Sequence, residues 1–386
     1  MTVSINEGFL TQTLVDIVHI DSSNPSLTPN SPGEREAAEY IANLLEEIGL
    51  EVEITEPAAD RFNVVGILKG SGGGRSLMLN GHIDTVGVED MAEPFSGAIR
   101  DGKLYGRGSA DMKGSLASML AATKAIVDSG IQLKGDLIVT FVADEEYASI
   151  GTADIAKRYS ADAAIVTEPS HFDIVIAHRG FIWYDIEVLG RAAHGSQFDL
   201  GIDANLRMGR LLAELDKLEQ ELRARPPHPL AGPPSLHAAI LNGGTEISTY
   251  AAHSRLQLER RTAPGETEEQ ATAELQAIID KLSAEDESFK AQITTTLVRH
   301  PFEISPGAEI VQLAEKIVAG HLGFKPKRSA MAGWTDAQLL DAAGIDSILL
   351  GPIGEGFHAA EEWVDLKSVI DLAAILAGIT VEFCGT

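Results

Sequence analysis

Apolar residues at Ala38, Ile41, Leu44, Leu45 and Ile48 recur every three or four positions. That spacing predicts a helix with one buried face, and Gly49 predicts its end. Its start is read at Ser31-Pro32-Gly33-Glu34, with Ser31 as cap, Pro32 in the first turn and Glu34 closing a capping box. A second helical pattern, Met112, Leu116, Met119, Leu120, Ile126 and Val127, follows a glycine-rich loop from Leu104 to Gly114. Asp111 stands where that loop turns into helix, and the plainest role for an aspartate there is a cap. Short apolar runs predict strands at 63–68, 76–80, 136–143, 163–167 and 347–350.

From 180 to 299 the pattern changes. Phe181 to Leu189 alternates as a half-buried strand, and Ile202 to Leu222 is a long amphipathic helix. Strands follow at 236–242 and 254–260, then a helix at 266–282 and a strand at 289–298. The order β-α-β-β-α-β is that of a ferredoxin-like split unit. A strand and a histidine belonging with the earlier pattern come after it. The reading is therefore an α/β fold in which a catalytic domain, 1–179 and 300–386, is interrupted by a smaller α+β domain, 180–299.

Four predicted strands of the first domain end close to a histidine or an acidic residue. His82 follows 76–80, Glu145 and Glu146 follow 136–143, and Glu168 follows 163–167. His358 lies in the glycine-rich loop after 347–350. Open α/β sheets bind ligands outside the carboxyl ends of their strands. Scattered surface charge is a poor account of so many ligand-type residues on one edge.

Composition narrows the function classes. With 386 residues, 44% hydrophobic, the chain supports two domains. Its formal net charge of -27 excludes a nucleic-acid partner, because phosphate backbones need a basic surface. A single cysteine, Cys384, allows no internal disulfide, which fits a reducing compartment. Neither a basic-then-apolar leader nor a membrane-length apolar run is present, so a soluble cytoplasmic protein is expected.

His82, Asp111, Glu146, Glu168 and His358 are nitrogen and oxygen ligands suited to Zn²⁺ and its first-row neighbours. Five exceed what one open catalytic zinc requires. They suffice for two ions ~3.5–4 Å apart that share one carboxylate, for which Asp111 on its tight loop is the natural choice. Asp84, two residues after His82, is placed to accept the imidazole N–H and fix the ring. Glu145 and Glu146 are adjacent, so their side chains diverge: one can bind metal while the other acts as general base. A metal-free binding homologue would show a missing ligand, and none is missing.

These residues resemble the co-catalytic zinc metallopeptidase and deacylase family of acetylornithine deacetylase, succinyl-diaminopimelate desuccinylase, the aminoacylases and carboxypeptidase G. The matching motifs are Gly81-His82-Ile-Asp84-Thr-Val, Tyr105-Gly-Arg-Gly-Ser-Ala-Asp111-Met-Lys-Gly, Asp144-Glu145-Glu146, Thr167-Glu168-Pro169 and His358-Ala-Ala-Glu-Glu-Trp-Val. They span almost the whole chain. The resemblance implies a mixed-sheet, zinc-peptidase-like catalytic domain and a lid that also forms a homodimer. It implies two Zn²⁺ per chain, with Co²⁺ able to substitute. One ion takes His82, Asp111 and Glu168; the other takes Asp111, Glu146 and His358. Glu145 becomes the base. His194, in Ala192-Ala-His194-Gly-Ser, resembles the lid histidine that steadies the oxyanion in the partner's site. Arg261, with Arg260 as the alternative, aligns with the arginine that holds a substrate carboxylate, and Gly243 approaches substrate. A cis peptide is implied between Asp111 and Met112. The implied substrate is an N-acyl amino acid with a free carboxylate, acetylornithine-like, or else a dipeptide or carboxypeptidase substrate. Phe198, Asp203 and Glu93 depart from the usual pattern around the lid and pocket rim, which leaves substrate identity open.

Overall fold

The computed structural model describes residues 3–88 and 90–386. The chain divides into two compact units, one of Met1–Ile176, Ile304–Ser329 and Thr335–Thr386, the other of Ala177–Glu303 and Ala330–Trp334.

The first unit is a mixed α/β structure. Its main sheet runs in the order Glu51–Ala58, Arg61–Leu68, Leu137–Val142, Leu77–His82, Ala163–Val166, Asp346–Leu349 and Ile174–His178. The first three are antiparallel neighbours, and from Leu137–Val142 to Asp346–Leu349 the strands are parallel. These four are almost wholly buried, as their continuous apolar runs require of a sheet covered on both faces. Register aligns their ends: His82 lies opposite Val142, while Asn80 and Leu349 both lie opposite Val166. The carboxyl ends of the parallel strands therefore share one edge.

Helix Gly114–Asp128 packs against Leu366–Cys384 and Glu7–His19. Leu10, Leu14 and Val18 close a core there with Ala117, Ala121, Val369 and Ala373. Two local expectations are corrected. The early helix spans Arg35–Ile48, ending at Gly49 with φ 103°, and no side chain caps its start. Glu34 is buried, and both its oxygens take the Arg61 guanidinium instead, because a charge removed from water gains more from a bidentate partner than from a cap. Asp111 does not cap a helix either. It sits in an irregular turn, Ser109–Lys113, before the helix proper, with φ −120° and ψ 89°.

The second unit is smaller. Its elements are Gly180–Leu189, helix Ala204–Ala224, Ser235–Gly243, His253–Thr262, helix Glu268–Glu285 and Lys290–Arg299. The four strands pair antiparallel in the order Ser235–Gly243, His253–Thr262, Gly180–Leu189, Lys290–Arg299. Ile182, Tyr184, Ile186 and Val188 point alternately into a core with Met208, Leu211, Leu275 and Ile279 from the two helices. The first helix starts at Ala204 rather than Ile202, because the Asp203 side chain accepts from the Asn205 and Leu206 amides. Among the described residues no helix is long and apolar enough to cross a membrane.

Candidate metal centre

The aligned strand ends bring the predicted ligands together. His82 closes its strand and is 1% exposed. Its Nε2 lies 3.0 Å from Asp111 Oδ1 and 3.6 Å from Glu168 Oε1. Its Nδ1 lies 2.9 Å from the Asp84 carbonyl oxygen. The Asp84 carboxylate, expected to take that ring nitrogen, is further away at 3.6 Å. It is occupied elsewhere, accepting from the amides of Glu145 and Glu146 at 3.1 and 3.3 Å and from Asn24 Nδ2 at 2.8 Å. Asp84 thus holds the start of the Glu145–Glu146 turn in place.

That turn has a buried foundation. Asp144 adopts φ 70°, and its carboxylate meets Arg61 Nη1 at 2.8 Å and Asn24 Nδ2 at 3.0 Å. Arg61 is the guanidinium that also holds Glu34. A chain of hydrogen bonds therefore runs from Glu34 through Arg61, Asp144 and Asn24 to Asp84.

His358, in the left-handed region at φ 59°, is exposed. Its Nε2 lies 3.1 Å from Glu146 Oε2 and 3.4 Å from Asp111 Oδ2. The two oxygens of Asp111 thus face two different histidines. The Asp111–Met112 peptide is cis. Two trios, His82–Glu145–Glu168 and His82–Asp111–Glu146, each have ligand atoms within 4.8 Å of one another.

The electrostatics fit a divalent cation. Burial, and the Glu168 charge beside it, push the Glu145 carboxyl well above the usual range. Burial, with Asp111 and Glu146 nearby, pushes Glu168 up to about 8. Burial alone would depress His82, but Glu168 and Asp111 hold it well above an ordinary histidine. Hydrogen bonds to Asp111 and Glu146 raise His358 to about 10. Glu168 Oε1 is buried with no hydrogen-bond partner. Crowded carboxylates, imidazoles turned toward them and a buried orphan oxygen are what an oxygen- and nitrogen-liganded ion pair would satisfy. The clusters are capable of a dinuclear divalent site.

The second-unit residues are placed as follows. His194 is exposed, and its Nδ1 meets Ser196 Oγ at 2.8 Å. Arg261 is partly exposed, donates to Glu259 at 2.6 Å and lies over the Phe181 ring. Arg260 is buried and bound to Glu266 at 2.7 Å, a structural pair. Gly243 ends its strand, and a Cβ there would meet Asn205 Oδ1 at 2.0 Å, so a larger residue would have to displace that side chain.

Four supporting residues carried no sequence assignment: Glu362, Arg107, Asn24 and Arg61. Glu362 and Arg107 are buried and paired at 2.6 Å, and together they hold the Asp111 loop. Both lie inside quoted motifs, yet an acidic pair four residues after a histidine looks the same whether it is solvated or buried. Asn24 and Arg61 left no signal beyond composition.

Comparisons with known proteins agree on one family. The model described as Peptidase family M20/M25/M40 matches residues 78–382. An N-formyl-4-amino-5-aminomethyl-2-methylpyrimidine deformylase of Halalkalibacterium halodurans is 29% identical, over 97% of this chain and 93% of its own. An acetylornithine deacetylase of Myxococcus xanthus is 28% identical over 97% and 98%. Among solved structures, the aminopeptidase PepT of Bacillus cereus superposes with a TM-score of 0.82 at 20% identity, covering 99% of this chain and 100% of that one. The M20 family metallo-carboxypeptidase of Sulfolobus solfataricus gives 0.77 at 17%, covering 97% and 99%. At those identities the structural likeness speaks for the fold.

Proposed function

This chain belongs to peptidase family M20/M25/M40, and we propose that this metal-dependent amidohydrolase removes a small acyl group from the nitrogen of an amino acid that keeps its free carboxylate. Acetylornithine-type deacylation is the specific reaction we favour. The observation that carries the reading is the convergence of His82, Asp111, Glu146, Glu168 and His358 around Glu145 at one sheet edge. Two relatives are named for removing a formyl and an acetyl group, and what they share is a small acyl group.

We assign His82, Asp111 and Glu168 to one Zn²⁺ and Asp111, Glu146 and His358 to a second, with Co²⁺ as a substitute. When bound, the ions supply Lewis acidity toward the amide carbonyl and ease deprotonation of water. Glu145 takes a proton from the attacking water and returns it to the leaving amine nitrogen. In the metal-free protein its buried, acid-rich surroundings raise its proton affinity; the positive charge of bound ions would offset this and leave the carboxylate free to accept the water's proton. Asp84 holds the Glu145 amide, so the base cannot swing away with its loop.

The second unit is assigned the rest: a ferredoxin-like lid through which two copies form a homodimer. In that assignment His194 donates to the oxyanion of the partner's site, Arg261 grips the substrate carboxylate and Gly243 lets its strand end approach substrate. A dipeptidase or carboxypeptidase action on the same scaffold is the competing reading. One experiment separates them: N-acetylornithine, other N-acetyl, N-formyl and N-succinyl amino acids, and dipeptides are assayed with added Zn²⁺ or Co²⁺, alongside metal content. Hydrolysis of acyl amino acids with about two equivalents of metal per chain is expected. Turnover confined to dipeptides would replace the deacylase reading.

A further inference from the structure

The Glu362 carboxylate is buried and fully engaged. Its Oε2 accepts from Arg107 Nη1 at 2.6 Å and from the Gly108 amide at 3.0 Å. Its Oε1 accepts from the amides of Ala110 at 2.9 Å and Asp111 at 3.0 Å. Arg107 reaches further, donating to the carbonyls of Gly87 and Ala359, each at 3.0 Å. Pairing of Trp363–Asp365 with Lys103–Tyr105 brings the two segments side by side. Three residues separate Glu362 from His358, so one carboxylate ties the backbone of Asp111 to the loop that carries His358. Arg107 ties the same loop to the segment just after Asp84.

A carboxylate accepting several charge-assisted bonds is among the stiffest links a protein can build. This one joins the backbone of Asp111 to the segment that carries His358, and the facing side-chain atoms of those two residues are 3.4 Å apart. By contrast, His82 is held through its own strand and the Asp84 carbonyl, with no part in this link. We propose that Glu362, supported by Arg107, is a positioning residue that sets the spacing of Asp111 and His358 and thereby the affinity of the ion on the His358 side. The inference rests on the two-ion reading above.

The test is a Zn²⁺ titration of metal-free wild-type protein, Glu362→Gln, Glu362→Asp and His358→Ala, by calorimetry against a competing chelator. Metal-free melting curves check folding. Gln keeps the shape but turns an NH₂ toward N–H donors. The ion on the His358 side should lose about 10–100-fold in affinity, the range for outer-shell partners of ligands, and the other ion, which shares only Asp111 with this link, should lose less. Asp, which keeps the charge, should recover part of the loss. Adding Glu362→Gln to His358→Ala should cost the remaining ion, which shares only Asp111 with this link, less than Glu362→Gln alone costs the ion on the His358 side. Equal weakening of both ions would make Glu362 general scaffolding, and unchanged affinities would remove its role; either overturns the proposal. A wild-type protein that binds fewer than two ions would instead overturn the two-ion reading. If the Gln variant does not fold, Arg107→Met takes its place: it leaves the three amide bonds intact and should weaken the same ion selectively, and unchanged affinity there refutes the inference.

Discussion

His82 and His194 show how differently the two units treat an imidazole. His82 is shut inside the first unit, with one nitrogen on a carbonyl and the other facing carboxylates from different loops. Each of those loops is held in turn: Asp111 by Glu362, and the Glu145–Glu146 turn by Asp84, Asn24 and Arg61. His194 lies on an exposed loop of the second unit, with a neighbouring serine hydroxyl as its polar partner. An edge where charge of one sign is crowded, if it is to hold metal, must be preorganised before substrate arrives. A group meant to meet substrate or a second copy needs freedom until that meeting. The contrast predicts that damage to the ligands of the first region and their supports is felt in metal content as well as rate, and damage to the base Glu145 or to the second region in rate alone.

The largest effects belong to the acidic turn. Glu145→Ala should keep both ions and lose turnover by ~10²–10⁴-fold, the usual worth of a general base. Glu146→Ala should lose an ion as well. Metal analysis beside kcat decides it, and the reverse pattern would mean that the two carboxylates have been interchanged.

His194→Ala should leave metal content at the wild-type level and lower kcat by ~10²–10³-fold, the cost of one oxyanion donor. Mixing inactive His194→Ala and Glu145→Ala chains should recover part of the activity, since a hybrid dimer would hold one site with both groups intact. If verified subunit exchange restores nothing, His194 does not act across a dimer. Metal loss in His194→Ala would erase the contrast between the regions.

Removing the metal should expose the charge crowding directly. In metal-free protein Glu145 and Glu168 have raised affinities for protons, and so do His82 and His358. The folded state then binds more protons than the unfolded chain, so stability falls as pH rises. The window for Glu168 opens above its ordinary range and closes near its folded value of about 8; that for His358 extends to about 10. Asp111, shifted the other way, acts only at acid pH. Metal-free protein should therefore melt at lower temperature at pH 8 than at pH 6, and Zn²⁺ should shrink the difference. A metal-free melting temperature independent of pH would mean that the cluster is less desolvated than its geometry indicates.

The gathering of histidines and acidic residues on one edge was legible in the sequence because parallel strands are continuous apolar runs, and whatever follows each run lies on a common edge. His82, Glu145, Glu146 and Glu168 follow that rule; His358 does so only through a longer segment, Gly351 to Phe357, that includes the short strand Gly354–Glu355. The supports were not legible. Glu34, Arg61, Asp144 and Glu362 are buried ions, and a charged residue in a sequence reads as solvated unless its partner is known. Glu34 even mimicked a capping box, since the spacing that makes a cap also suits a residue drawn inward to Arg61. The helix Leu366–Cys384 offers a related difficulty. It is buried along most of its length, so it lacks the one-sided stripe by which a surface helix announces itself.

The smallest expected effect lies at Asp203, in the second unit. Its carboxylate accepts from the amides of Asn205 and Leu206 at 2.9 and 3.2 Å. Asn and Asp cap equally well, so Asp203→Asn should change helix stability by no more than a few tenths of a kcal/mol. Asp203→Ala removes the acceptor and should cost about 0.5–2 kcal/mol. The helix it starts, Ala204–Ala224, contributes Met208, Leu211 and Leu215 to the second unit's core. The loss should therefore appear as faster amide hydrogen exchange along that helix. Strands Leu77–His82 and Ala163–Val166 belong to the other unit, and their exchange should not change. Hydrogen exchange resolved by segment is the right measurement, because a chain of two units need not unfold in one step. Metal content should match wild type in both variants. If Asp203→Ala instead loosened the metal-bearing strands to the same degree, the two units would unfold as one cooperative body, and the contrast between a rigid metal edge and a separately stabilised second unit would fail.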